Sequence, residues 1–218
     1  MRIEASTEVL RRHRDPVQLL TSDEVTRARR LLRREDREDY VAAHVLAREL
    51  VAELVGSAPS HVRITQECPH CGARGHGRPS VASSAPDQPG VSWSHSSGRV
   101  AAAAVMDAQL GIDVERLNGV QPDRDLVLAA LPDDEARTVL DASDPERAFL
   151  ALWTRKEALV KMGSLTLDDA TGLTLAAMLA SSPTVSLNGW FDPAAGVAAA
   201  LAVDRQQSSD QPPALFSD

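Results

Sequence analysis

Lysine is almost missing from this chain: of 23 Lys and Arg residues, two are lysines, Lys156 and Lys161. Aromatic residues make up 3% of the sequence against 43% hydrophobic residues overall, so a core must come from Ala, Val and Leu. The two cysteines, Cys68 and Cys71, exclude a disulfide framework. No apolar run approaches the length that crosses a bilayer, and the opening MRIEASTEVLRRHRD lacks the apolar centre of a secretory signal. A cytoplasmic protein with no membrane partner is expected. Excess positive charge is lacking as well. The formal net charge of −8 speaks against a nucleic-acid partner, because non-specific nucleic-acid binding runs on clustered cationic surface. With 218 residues, the chain can bury a core without staples, as one large domain or two small ones.

What is present organises itself by periodicity. TSDEVTRARRLLRR, residues 21–34, reads as a helix with Thr21 or Ser22 as cap, and EDYVAAHVLARELVAELVG continues as a second helix ended by Gly56. VRITQ (62–66) alternates like a strand, and the Gly-, Pro- and Ser-rich segment 67–90 reads mostly as loop. Strands follow at 91–94, 99–106 and 109–115, the first two joined by the HSSG turn. Helices return at DRDLVLAALP, PDDEARTVLDA and DPERAFLALWTRKEALVKMG, the last with Asp144 as cap, Pro145 in its first turn and Gly163 at its end. GLTLAAMLA, TVSLNGWF and GVAAALAV read as antiparallel strands broken by Pro183 and Asn188-Gly189. Elements arrive in clusters, which predicts an α+β fold, and the order of helices then strands occurs twice. The divisions that follow are 1–108, 109–205 and a loose polar tail, 206–218.

Five constellations could carry chemistry. On the long helix, Lys156 falls in the middle of the apolar stripe Phe149, Leu152, Trp153, Leu159 and Val160, where an ammonium must snorkel to water or meet an anion. Glu157 and Lys161 are four apart, the spacing of an ordinary intrahelical salt bridge. In GIDVE, Asp113 and Glu115 are two apart on a strand and point to one side; exposed strand faces often carry such pairs, but together two carboxylates suit a hard cation such as Mg²⁺. WSHSSG (93–98) is a polar turn whose His95 either has no task or donates to a phosphate or base. CPHCGARGHGRP holds Cys68, Cys71, His70 and His76, a weak zinc signal without a second pair. The cluster Arg27, Arg29, Arg30, Arg33, Arg34 and Arg37, followed closely by Glu35, Asp36, Glu38 and Asp39, is either a solvated surface laced with ion pairs or a landing place for an anion.

Gly111 to Glu115 and Trp153 to Lys161 together resemble the Sfp-type 4′-phosphopantetheinyl transferase family, whose hallmark motifs G-[IV]-D-x-E and W-[ST]-x-K-E-[AS]-x-x-K they match completely. Gly77-Arg78-Pro79 and Ser94-His95-Ser96 resemble the family's supporting motifs, and the likeness runs from about Thr21 to Val203. It implies two similar, pseudo-twofold-related halves, each with helices packed on a small, mainly antiparallel sheet, and a cleft between them. It implies an enzyme, expected to act as a monomer, that transfers the phosphopantetheine arm of coenzyme A to a serine of an acyl or peptidyl carrier protein with Mg²⁺. By resemblance, Asp113, Glu115 and Glu157 hold the metal, Glu157 is the general base, and Lys161 neutralises or protonates the departing phosphate. Lys156 and Lys161 are read as charges facing phosphate, and Arg78, Ser94 and His95 as contacts to the 3′-phosphate and adenosine end. Arg27 falls near a position where relatives often place a lysine against phosphate. Met162-Gly163-Ser164 is shorter than the usual glycine-containing stretch after the second motif, which leaves the carrier-docking surface open. Two competing readings are a Mg²⁺-dependent phosphodiesterase or nuclease and a non-catalytic zinc-loop adaptor. The nuclease pattern needs Glu and Lys two apart on a strand, not four apart on a helix.

Overall fold

The computed structural model describes residues 1–67, 72, 77–82, 88–163 and 165–205; the cysteine-containing loop and the C-terminal tail lie outside them. In chain order the elements are β1 (Arg2–Ala5), α1 (Ser6–Arg11), α2 (Ser22–Arg30), α3 (Arg34–Val55), β2 (Ile64–Glu67), β3 (Arg78–Val81), β4 (Pro89–Ser96), β5 (Arg99–Met106), β6 (Gln109–Arg116), α4 (Arg124–Ala130), α5 (Asp133–Leu140), α6 (Pro145–Met162), α7 (Leu167–Gly172), α8 (Leu175–Ala180), β7 (Val185–Asp192) and β8 (Val197–Asp204). The fold is α+β, as the clustering of elements predicts.

Two antiparallel sheets share one connectivity. The first is ordered β1-β5-β4 and the second β6-β8-β7, so in each the leading strand pairs with the last and the last with the one before it. β1 and β6 thus open equivalent runs of strand, helices and strands. A separate hairpin, β2 with β3, stands beside β4.

The small residues of β5 explain how a chain with few aromatics packs. Val100 and Ala102 face α3, where Ala42, Ala43, Val45 and Leu46 are fully buried, while Ala101 and Ala103 face Leu110, Ile112 and Val114 of β6. Side chains alternate across a strand, and short ones let layers approach from both sides.

β4 and β6 lie side by side without joining one sheet. Serines at every second position of β4 bridge them: Ser92 Oγ accepts from Ile112 N (3.1 Å), Ser96 Oγ accepts from Arg116 N (3.2 Å), and Ser94 Oγ donates to Asp113 Oδ1 (2.8 Å).

Several sequence expectations are corrected. GLTLAAMLA is not a strand: Thr174 caps the short helix α8 by accepting from Ala177 N, and a brief apolar run cannot tell strand from buried helix. Asn188-Gly189 does not break a strand but lies inside β7, paired with Leu201 and Ala200. Within the segment read as loop, residues 78–81 form β3. Ser94 to Ser96 belong to β4, and the turn is made by Ser97 and Gly98, both at positive φ.

Candidate active site

Gly111 decides where α6 sits. A Cβ there would stand 2.0 Å from Ala158 O and 2.5 Å from Met162 N, so only glycine lets the helix backbone rest on β6. That approach sets Glu157 and Lys161 beside Asp113. The helix itself is well specified, with Asp144 accepting from Arg147 N, Pro145 in its first turn and Gly163 at φ +99° as C-cap.

Lys161 Nζ lies 2.6 Å from Asp113 Oδ1 and donates to Ser94 Oγ at 2.8 Å, tying α6, β6 and β4 at one point. Asp113 is 2% exposed, and its second oxygen, Oδ2, is buried without a hydrogen-bond donor. Glu115 Oε2 accepts from Ser96 Oγ at 2.7 Å. Ser94, His95, Asp113, Glu115, Glu157 and Lys161 all line one pocket of about 370 Å³.

The electrostatics follow from that crowding. Burial raises the Glu157 pKa above the ordinary glutamate value and the Asp113 charge adds to the effect, while Lys161 opposes it. Glu115 is raised for the same leading reason, with Asp113 and Glu157 also pushing it up and Ser96 and Lys161 holding it down. His95 is open to solvent at its surface, yet the packing around its ring lowers its pKa; Lys161 acts the same way and Asp39 opposes both.

Lys156 is a correction. It neither snorkels nor faces this pocket. Fully buried, it donates to Ala170 O (2.8 Å) and Leu173 O (2.6 Å) and pairs with Glu135 Oε2 (2.5 Å), while Glu135 Oε1 accepts from Leu175 N (2.5 Å). Two donors of the compact ammonium meet carbonyls at the end of α7, where helix carbonyls lack partners, and Glu135 on α5 balances its charge. Arg78 also points elsewhere: the pocket wall takes Gly77, and the Arg78 side chain lies over Gly163, whose Cβ would stand 3.0 Å from Arg78 Cδ. Cys68, His70, Cys71 and His76 lie outside the described residues.

Sequence reasoning missed a second wall of the pocket. Tyr40 and Trp93 flank His44, with ring centroids 4.2 and 4.6 Å from it; Arg27, which the resemblance had singled out, lines the same space. Beneath them Glu24 accepts from His44 Nδ1 (2.8 Å) and from Arg48 Nη2 (2.7 Å). Burial alone would raise the Glu24 pKa, but the His44 contact and the Arg48 charge bring it down to about 2. Burial lowers that of His44. Tyr40, His44 and Arg48 at steps of four on an otherwise Ala-, Val- and Leu-rich helix were the available signal.

The donor set fits a hard divalent cation: carboxylate oxygens converge, and Asp113 Oδ2 is buried and bare. Among the described residues no three acidic, His or Cys side chains already stand as a ligand set, and Asp113 Oδ1 is held by Lys161.

An acidic pocket with a lysine at its centre, on an α+β fold of repeated connectivity, suits an enzyme that handles phosphate esters. Residues 109–212 match the family model of the 4′-phosphopantetheinyl transferase superfamily. The match includes Asp113, Glu115, Glu157 and Lys161. No curated protein matches the chain.

Proposed function

We propose that this pocket transfers the 4′-phosphopantetheine group of coenzyme A to a serine hydroxyl of an acyl or peptidyl carrier protein and releases adenosine 3′,5′-bisphosphate. The observation that carries this reading is the convergence of Ser94, Asp113, Glu115, Glu157 and Lys161 on one pocket, four of them inside the matched segment.

Glu157 accepts the proton of the incoming serine hydroxyl, directly or through a water; a carboxylate whose pKa is raised by burial is a stronger base than an exposed one. The serine oxygen bonds to the phosphorus that carries the pantetheine arm while the bond from that phosphorus to the bridging oxygen breaks. The electron pair leaves with adenosine 3′,5′-bisphosphate, and the Lys161 ammonium neutralises or protonates it. Asp113, Glu115 and Glu157 would hold Mg²⁺, which supplies charge neutralisation on the pyrophosphate. Ser94 and His95 bind the phosphate and adenosine end, against the aromatic wall of Tyr40 and Trp93. Residues 1–108 and 109–205 form the two halves in this reading, with the pocket between them. Arg78 supports the pocket through Gly163, and Lys156 has no part in the chemistry.

The test follows both products of one turnover. Incubation with apo carrier protein, coenzyme A and Mg²⁺ is expected to release adenosine 3′,5′-bisphosphate in step with carrier modification, and chelation or Asp113→Ala is expected to stop both. Nucleotide release without a carrier, or hydrolysis of unrelated phosphodiesters, would instead favour the phosphodiesterase reading.

A further inference from the structure

We propose that Lys161 and the divalent cation compete for Asp113, so that cation binding is what frees the Lys161 ammonium to reach the phosphate. This inference rests on the metal reading above and extends it. Asp113 is the hub: Oδ1 accepts from both Lys161 Nζ (2.6 Å) and Ser94 Oγ (2.8 Å), and Oδ2 is buried with no donor. A carboxylate that is 2% exposed has little water around it to soften repulsion. An ammonium at hydrogen-bond distance and a dication on the same group are therefore incompatible neighbours. Glu157, one turn back on α6, also feels the Lys161 charge. The Lys161 side chain is 29% exposed, unbranched and flexible, so it has an open path away from Asp113 toward the pocket. Two consequences follow: Asp113 keeps a cationic partner without the metal ion, and the lysine is released for the substrate after the cation is bound.

The cation can be measured without turnover. Mn²⁺ is titrated by electron paramagnetic resonance into wild type, Lys161→Met and Lys161→Arg, without coenzyme A or carrier. Removing the ammonium should tighten Mn²⁺ binding roughly tenfold or more, and Lys161→Arg, which keeps the charge, should bind like wild type. The lysine can be followed directly, because the only other one is fully buried. Trace acetylation with peptide mass spectrometry should show Mg²⁺ accelerating modification of Lys161 in wild type but not in Asp113→Asn, with Lys156 protected throughout. Equal or weaker Mn²⁺ binding by Lys161→Met, or Mg²⁺ that leaves Lys161 labelling unchanged or slows it, overturns the exchange while wild-type binding keeps the metal reading intact. No Mn²⁺ binding by any of the three proteins overturns both.

Discussion

The two lysines of α6 sit five residues apart, about 140° around the helix, and live in opposite environments. On one face Lys156 is sealed among Ala170 O, Leu173 O and Glu135, its hydrogen bonds and its charge both spent on holding helices together. On the other, Lys161 makes two contacts at the edge of a solvent-connected pocket and keeps a third proton and an exit. Both sites set the ammonium, a compact point charge, against a carboxylate. A rare residue marks a constrained position without saying whether structure or chemistry constrains it; burial and the identity of the partners decide.

Substitutions can break the comparison apart. The largest effect should come from Glu157→Gln on the open face, roughly 10²- to 10⁴-fold in kcat with little change in the unfolding midpoint, read from carrier-modification rates and a melt. Its pH dependence has a definite sign. The base must be deprotonated, so wild-type activity should fall at low pH, raising Mg²⁺ should move this acid limb to lower pH from the raised position Glu157 has without the cation, and the limb should change in Glu157→Gln.

On the closed face, Lys156→Met leaves Glu135 charged and unpaired inside the fold and should cost about 3–5 kcal/mol in denaturant unfolding, with kcat of the folded protein altered little. A loss of kcat without loss of stability would reverse the roles assigned to the two lysines.

Glu24 gives a sharper control in the other half of the molecule. Its folded pKa of about 2 lies below the ordinary value, so its contribution is complete above about pH 4.5 and is lost as pH falls through about 2. That contribution is on the order of 3 kcal/mol at neutral pH. In Glu24→Gln, stability measured by urea unfolding should fall less between those two values than it does in wild type. Smallest is Ser96→Ala, which removes one bridge between β4 and β6 and should cost about 1 kcal/mol.

Much of this was legible in the residues. Capping by Thr21 and Asp144, termination at Gly56 and Gly163, and the alternation of GIDVE all depend on local chemistry and appear where that chemistry puts them. What failed needed tertiary knowledge. Gly189 reads as turn-forming, but it sits in β7 under the Arg155 guanidinium, where a Cβ would come within 2.5 Å. Lys156 offered two outcomes on the helix surface, and Glu135, twenty-one positions earlier on α5, selects the buried one. The Tyr40, His44 and Trp93 wall joins α3 to β4, a pairing that no single segment encodes.

The central claim is that the Lys161 face of α6 performs phosphopantetheine transfer. Intact mass spectrometry of a purified apo carrier protein, after incubation with wild-type enzyme, coenzyme A and Mg²⁺, tests it most directly. The account predicts a gain of one phosphopantetheine group on the carrier serine; a carrier of unchanged mass, across acyl and peptidyl carriers alike, would contradict it.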